Sequence, residues 1–494
     1  MRHVHKLCTT YLILLSASLL FAGCAVGPNF KKPTAPNVAG YLPTQPTTTT
    51  NVPNVSGGEA QQFVQNRDIP GDWWTVFHST PLNDLIERAL KANPSLKAAQ
   101  AALVVARENM LAQRGAYYPS VNAGFSALRA KTSADVSPVT NTSALNYSFY
   151  TPQVSVSFVP DVFGLNRRTV ESLKAQEQQA RFALAATHIA LSSYVAATAI
   201  QEASLHGQID ATRQLIAVNS EMLQILREQY AQGYVAQLGV AAQESQLAQV
   251  AATLPPLLKQ LTQQRDLLME LSGGFPSEER PPEFEFSSFQ LPQELPMSLP
   301  SQLVEQRPDV LQAEENLHAA SALVGIAIAN RLPSFNLTAD AGSVASAFSQ
   351  ILGAGTGFWD LAAGVTQPVF EGSALRHHER AAQAGLNQAE EQYRSVVLTA
   401  FQNVADTLSA LQEDGEALKA AVAAEEAAGT TLAQTKNQFE AGYASYLALL
   451  SAEQTYQQAA LALVQAQSNR YADTAALFQA LGGGWWNRMD IPKS

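Results

Sequence analysis

Four stretches of the chain alternate apolar and polar residues with a period of two. In Ser120 to Arg129, Val121, Ala123, Phe125 and Ala127 fall on one side and Asn122, Gly124 and Ser126 on the other. In Gln153 to Phe158, Val154, Val156 and Phe158 oppose Gln153, Ser155 and Ser157. Ser334 to Gly342 sets Phe335, Leu337, Ala339 and Ala341 against Asn336, Thr338, Asp340 and Gly342. In Phe358 to Phe370, Trp359, Leu361, Ala363, Val365 and Val369 share a side. Each reads as a strand with one apolar face.

Each pair of strands is followed by a long stretch without proline. Leu165 to Gln232 has no proline and a single glycine, Gly207, and Ala374 to Ala441 again has no proline. At about 1.5 Å per residue, each predicts a helix on the order of 100 Å long. Tyr393, Val397, Ala400, Val404, Leu408 and Leu411 follow steps of three and four, one face of a helix. Further from the strands Ile209, Ile216, Leu223 and Tyr230 recur every seven residues, with Leu205 and Leu226 on a second line. That period predicts a left-handed coiled coil. The intervening Ala and Gln are too weakly apolar for a thick core and suit a thin wall of helices, wet on one side.

The pattern occurs twice. Tyr230-Ala231-Gln232-Gly233-Tyr234 aligns with Phe439-Glu440-Ala441-Gly442-Tyr443, and Leu238, Glu244, Gln249 and Ala251 align at the same spacing with Leu447, Glu453, Gln458 and Ala460. Upstream, Asn93-Pro94-Ser95-Leu96 and Tyr118-Pro119-Ser120-Val121 parallel Arg307-Pro308-Asp309-Val310 and Leu332-Pro333-Ser334-Phe335. The chain is therefore an internal duplication. Its predicted organisation is a leader at 1–23, a Pro- and Thr-rich extended tether at 24–72, a first repeat at 73–272, a linker at 273–300, a second repeat at 301–481 and a tail at 482–494. Each repeat reads as helix, two strands, very long helix, turn and returning helix.

The first residues change the compartment. Arg2 and Lys6 precede an apolar stretch from Leu7 to Phe21, then Ala22-Gly23-Cys24, the layout of a secretory signal. With Cys8 inside the leader, the mature chain keeps one thiol and no internal disulfide. Leu20-Phe21-Ala22-Gly23-Cys24 resembles the bacterial lipobox, whose cysteine is acylated, and Ala25 resembles lipoproteins sorted to the outer membrane. Without Arg2 and Lys6 the formal charge of −11 becomes −13, which argues against a nucleic-acid partner. No later apolar run approaches the roughly 18 to 20 residues of a spanning helix, so a membrane crossing here must use strands.

Alternation also occurs in soluble sandwiches, but beside a lipid anchor it fits a transmembrane barrel, apolar outside and polar inside. Four strands cannot close a barrel, and unpaired backbone in lipid costs several kcal/mol per group. The chain must then oligomerise. Two copies are the minimum for a barrel, and three would give a barrel of about twelve strands.

On four further segments the chain resembles the outer-membrane efflux proteins of the TolC type, in the lipoprotein branch serving drug and metal pumps. They are Ser157 to Arg168, Gln306 to Asn330, Gln367-Pro368-Val369-Phe370 with Gly372, and Leu481-Gly482-Gly483-Gly484-Trp485. The resemblance implies a mixed α and β fold: a long α-helical periplasmic barrel continuous with a transmembrane antiparallel β-barrel, built by a trimer with four strands per chain. It implies as partners a periplasmic adaptor, or membrane fusion protein, and an inner-membrane efflux pump. Gly233-Tyr234 and Gly442-Tyr443 resemble the helix tips that dock the adaptor. Leu447 and Ser451 resemble the segment lining the pore constriction. Many relatives carry Asp where this chain has Ser451 and Gly239, which leaves open whether an acidic ring exists at that level.

A catalytic site has no counterpart in these patterns, and neither a cofactor nor a metal is expected. His377-His378-Glu379 is the one histidine cluster, and adjacent helical residues point about 100° apart, which does not chelate one ion. Gly482-Gly483-Gly484 follows the last helix and reads as a stop rather than a phosphate cradle. Two other functions remain compatible with the pattern: a duct for type I protein secretion, and a non-conducting structural envelope lipoprotein.

Overall fold

The computed structural model describes residues 25–133, 146–489 and 491. Cys24 and the leader, on which the expected lipid anchor rests, lie outside the described residues. The helices are α1 (Thr80–Ala92), α2 (Pro94–Arg114), α3 (Leu165–Ala231), α4 (Gln237–Leu271), α5 (Pro300–Gln306), α6 (Pro308–Ala329), α7 (Ala374–Glu440) and α8 (Tyr446–Ala480). The strands are β1 (Gln62–Gln65), β2 (Ser120–Lys131), β3 (Asn146–Phe158), β4 (Glu294–Met297), β5 (Ser334–Ser343) and β6 (Gly357–Thr366). The long helices α3 and α7 have 67 residues each and their returns α4 and α8 have 35 each, so the duplication is metrically close.

The chain divides into two compact units, the first comprising residues 25–33, Val104–Gln179 and Ala313–Gln392 and the second the remainder. The first unit contains an antiparallel sheet in the order β2-β3-β5-β6. Its register puts Val121 opposite Val156, Val156 opposite Ala339, and Ala339 opposite Leu361. The other face aligns Asn122 with Ser155, Ser155 with Asp340, and Asp340 with Asp360. The alternation seen along each strand is thus continuous across all four. Val121, Phe125, Val154, Trp359, Leu361 and Val365 are exposed, an apolar face that no part of this chain covers among the described residues. β2 and β6 are the edges, each paired on one side only.

Two strand limits differ from the pattern. β3 starts at Asn146, well before Gln153, although Pro152 lies within it. Proline has no N–H to donate, and the pairing with β5 ends at Gln153–Gly342, resuming as one bridge at Tyr150–Ala345, so no bond is required of Pro152 on that side. β6 ends at Thr366, and Val369 is not on its face. Pro368 stops the ladder there, and the Gln367 amide turns back to the carbonyls of Arg331 and Pro368, both at 2.9 Å.

Residues 25–33 are extended but bound down. Arg168, itself buried, donates to the carbonyls of Val26 (2.9 Å) and Gly27 (3.2 Å), to Asn29 Oδ1 (2.9 Å) and to Glu171 (2.7 Å). Gly27 lies so close to Gly325 that a Cβ would meet its Cα at 2.4 Å. Phe30 stacks on His318 at 4.3 Å, and His318 sits between Glu315 and Glu171, both at 3.2 Å. Hydrogen bonding to Glu315, then to Glu171, raises the His318 pKa against the opposing effect of burial.

The second unit is organised by aromatic burial. Trp73, Trp74 and Phe77 are fully enclosed, and Trp73 stacks on Phe478 at 5.4 Å. Each such ring removes roughly 150–250 Å² from water, about 4 to 6 kcal/mol before conformational entropy is subtracted. Arg470 is wholly buried and donates to the carbonyls of Leu411, Gly57 and Glu59 and to Thr49 Oγ1, pinning the Pro- and Thr-rich segment onto α7 and α8. β1 pairs in parallel with β4 of the inter-repeat stretch. The three-and-four line Tyr393, Val397, Ala400, Val404, Leu408 and Leu411 is entirely buried.

Of the expected seven-residue line, Ile209 and Leu223 are buried and Ile216 is half-buried, whereas Tyr230 is exposed; on the second line Leu205 and Leu226 are buried, with Thr212 and Asn219 buried between them. The core face of α3 therefore takes in both lines and includes two polar residues, Thr212 and Asn219. One more expectation needs correction. α3 contains a window of 18 residues apolar enough to cross a membrane by length and composition, but 67% of it is buried inside the chain, where its side chains are core.

Candidate functional site: the two helix tips

α3 and α7 end in the same way. Gly233 and Gly442 take φ of 79° and 78°, which suits glycine and lets each helix reverse. The N–H of Gly233 bonds to the Tyr230 carbonyl (2.9 Å) and that of Tyr234 to Gln229 (2.9 Å). Gly442 and Tyr443 repeat this with Phe439 (3.0 Å) and Gln438 (2.8 Å). Satisfying the last carbonyls internally leaves the turn side chains free. Tyr234 is 76% exposed and Tyr443 87%.

Leu447, one turn beyond Gly442, is 73% exposed, and its counterpart Leu238 is 79% exposed. Both tips thus present a bare tyrosine and a bare leucine. Leu238 was legible as the partner of Leu447 in the duplication, yet only exposure brings it forward as a surface residue of equal rank. Ser451 is exposed and lines a groove of about 340 Å³ between α7 and α8, with Ala427, Thr431, Ala448 and Thr455. Gly239 is half-buried, with open space where a side chain would project.

Beneath the turns the two hairpins meet. Met222 and Leu226 of α3, Leu432 and Phe439 of α7, and Leu449 and Ala452 of α8 form one apolar cluster. A polar chain crosses it: the Tyr446 hydroxyl donates to Gln243 Oε1 at 2.8 Å, and Gln243 Nε2 donates to the Asn219 side chain at 3.0 Å and its carbonyl at 3.2 Å. A buried Asn on a heptad line sets the register of paired helices. Neither Asn219 nor Gln243 stands out in the sequence, because their burial depends on which helices meet.

The duplicated acids are not equivalent. Glu244 is exposed and paired with Arg227 at 2.7 Å, an ordinary surface acid. Glu453, its counterpart in the duplication, is only 2% exposed. It shares a helix face with Leu449, Ala452 and Tyr456, and that face packs inward. Burial pushes its pKa up to about 7, although the Gln243 amide and Lys436 draw it down.

His377 and His378 are exposed at the start of α7, and the adjacent Glu379 pairs with Arg331. No group able to hold a metal ion occurs among the described residues. Gly482, Gly483 and Gly484 all have positive φ and close α8, with N–H groups of the first two bonded to Gln479 and Phe478.

Long paired helices ending in bare turns, together with a sheet apolar on one face and open at both edges, define a subunit of a membrane channel. The chain belongs to the outer membrane efflux protein family, whose profile matches residues 85–274 and 299–483, one match in each half. It is 29% identical to the toluene efflux pump outer membrane protein TtgF of Pseudomonas putida, over 98% of both chains. With the outer membrane protein OprJ of Pseudomonas aeruginosa it shares 26% identity over 95% of both. Among solved structures, the outer-membrane channel OprN superposes with a TM-score of 0.82 at 26% identity, covering 94% of this chain and 100% of that one. The fold is that of TolC-type channels, and the chain is an outer-membrane exit channel of an efflux system.

Proposed function

We propose that three copies close a barrel of about twelve strands, β2 of each copy pairing with β6 of the next, and that this duct passively conducts small toxic molecules outward. The observation that carries the proposal is the four-stranded sheet, whose exposed apolar face and two unpaired edges leave it incomplete in one chain. Acylated Cys24 anchors the mature chain after removal of residues 1–23. The organisation is then a tether to residue 72, repeats at 73–272 and 301–481 separated by a linker, and a short tail.

Tyr234 and Tyr443, with their glycines, form the docking surface for a periplasmic adaptor that couples the duct to an inner-membrane pump. Their near-complete exposure supports this role. Leu447 meets its copies at the axis and seals by dewetting, with Ser451 and Gly239 contributing no charge at that level. Such a duct has no catalytic step to perform.

Native mass spectrometry in mild detergent with planar-bilayer recording tests the reading. The expected result is a trimer that conducts. A stable monomer with full strand content would overturn the shared barrel, and an intact trimer that never conducts would overturn the duct.

A further inference from the structure

Among the described residues of the two tips, Glu453 is the acid whose environment opposes its usual charge. It is almost fully buried beside Leu449 and Ala452, and neither of its carboxyl oxygens has a hydrogen-bond partner of proper geometry. The groups facing it from each helix are already committed. From α8, the Tyr446 hydroxyl is given to Gln243. From α4, the Gln243 amide directs its hydrogens to Asn219 of α3, and Glu244 is paired with Arg227. From α7, the Lys436 ammonium is held by Glu221 of α3 at 2.9 Å. A carboxylate here is a buried charge that the Gln243 amide and Lys436 offset only in part, because both are engaged elsewhere, whereas a neutral carboxyl costs far less. To carry the charge, the tip must admit water or draw Lys436 away from Glu221, and either change separates the α3/α4 hairpin from the α7/α8 hairpin.

We propose that Glu453 is a proton-operated latch: protonated, it lets the two hairpins pack and the tip stay shut, and on losing its proton it loosens them and favours opening. The inference rests on the reading of the tip as the gate of the duct. Because burial raises the carboxyl to about 7 from the ordinary 4.5, the packed tip binds the proton more tightly than a solvated one. Packing is then most favoured at acid pH, and the advantage is lost as pH climbs from 4.5 through about 7.

The test is bilayer recording of the full-length trimer with the tip side taken from about pH 5.5 to about pH 8. Open probability should rise on the order of tenfold across that range. Glu453→Gln, neutral at every pH, should hold the acid-side level throughout while native mass spectrometry shows an intact trimer. Hydrogen exchange in the wild type needs no variant: residues 219–226 and 446–453 should exchange faster at the alkaline end. A wild type that conducts with no pH response, or a Glu453→Gln trimer that keeps the response, overturns the latch and leaves the duct standing. If neither the wild type nor Leu447→Ser conducts at any pH while the trimer is intact, the gate is overturned and the latch with it.

Discussion

The Tyr446 hydroxyl donates to the side-chain oxygen of Gln243 at 2.8 Å, tying the first turn of α8 to α4 across the seam between the hairpins. Tyr446→Phe leaves that oxygen buried and unpaired, at a cost of about 1–3 kcal/mol. Amide protection in the Asn219 and Gln243 turns should fall accordingly while the sheet and the Trp73 core keep theirs. Unchanged protection at the tip would mean that the bond does not hold the hairpins together.

Leu447 is bare in the single chain, so its partner in the proposed seal is its own copy. Leu447→Ser should raise single-channel conductance of the intact trimer, since a polar ring no longer excludes water. Ser451→Asp should make the channel sensitive to block by divalent cations. Conductance untouched by Leu447→Ser would place the constriction elsewhere along the duct.

The sequence has two cysteines, Cys8 and Cys24, and Cys24 follows a lipobox-like segment. Mass spectrometry of the mature amino terminus should find residue 24 first and acylated. A first peptide beginning upstream or downstream of Cys24, without lipid, contradicts the anchor.

Residues 25–33 are held by Arg168 and His318, and the hold should depend on pH. A histidine whose folded pKa is raised stabilises fully below its ordinary 6.5 and progressively less as pH rises through the folded value. Proteolytic nicking of this segment should therefore increase between about pH 6 and about pH 9, and His318→Gln should remove the trend. Arg168→Ala, which removes the bonds to Val26, Gly27 and Asn29, should expose the segment at every pH. Equal resistance of the wild type and Arg168→Ala would show that other contacts suffice.

Arg470 lies wholly buried among four acceptors, next to Asp414, whose pKa burial and Asp473 raise to about 7. Arg470→Leu removes the cation and strands those acceptors, a loss of about 3–5 kcal/mol. The thermal transition of the extracted protein should drop by several degrees. A transition within a degree of the wild type would mean that the segment around Thr49 is not secured there.

Strand alternation, proline-free helices and the repeated Gly-Tyr turns are local properties, and the sequence by itself was enough to specify them. Val121 to Ala127 needs only its own period to choose a face, and Gly233 needs only its missing Cβ to end a helix. The burial of Glu453 against the exposure of Glu244 could not be read that way. The two acids occupy equivalent positions in the duplication, and they differ because one faces a neighbouring hairpin and the other faces water.

The same holds for Pro152, which argues locally against a strand. Only the place where the β5 ladder pauses makes it acceptable. It holds too for residues 25–33, whose composition indicates extension but not the Arg168 cradle that receives them. The sequence alone therefore determined the elements, their duplication and the faces of the strands, because short-range sterics and periodicity decide those. Tertiary structure alone decided which polar groups are stripped of water, because burial is set by residues distant in the chain.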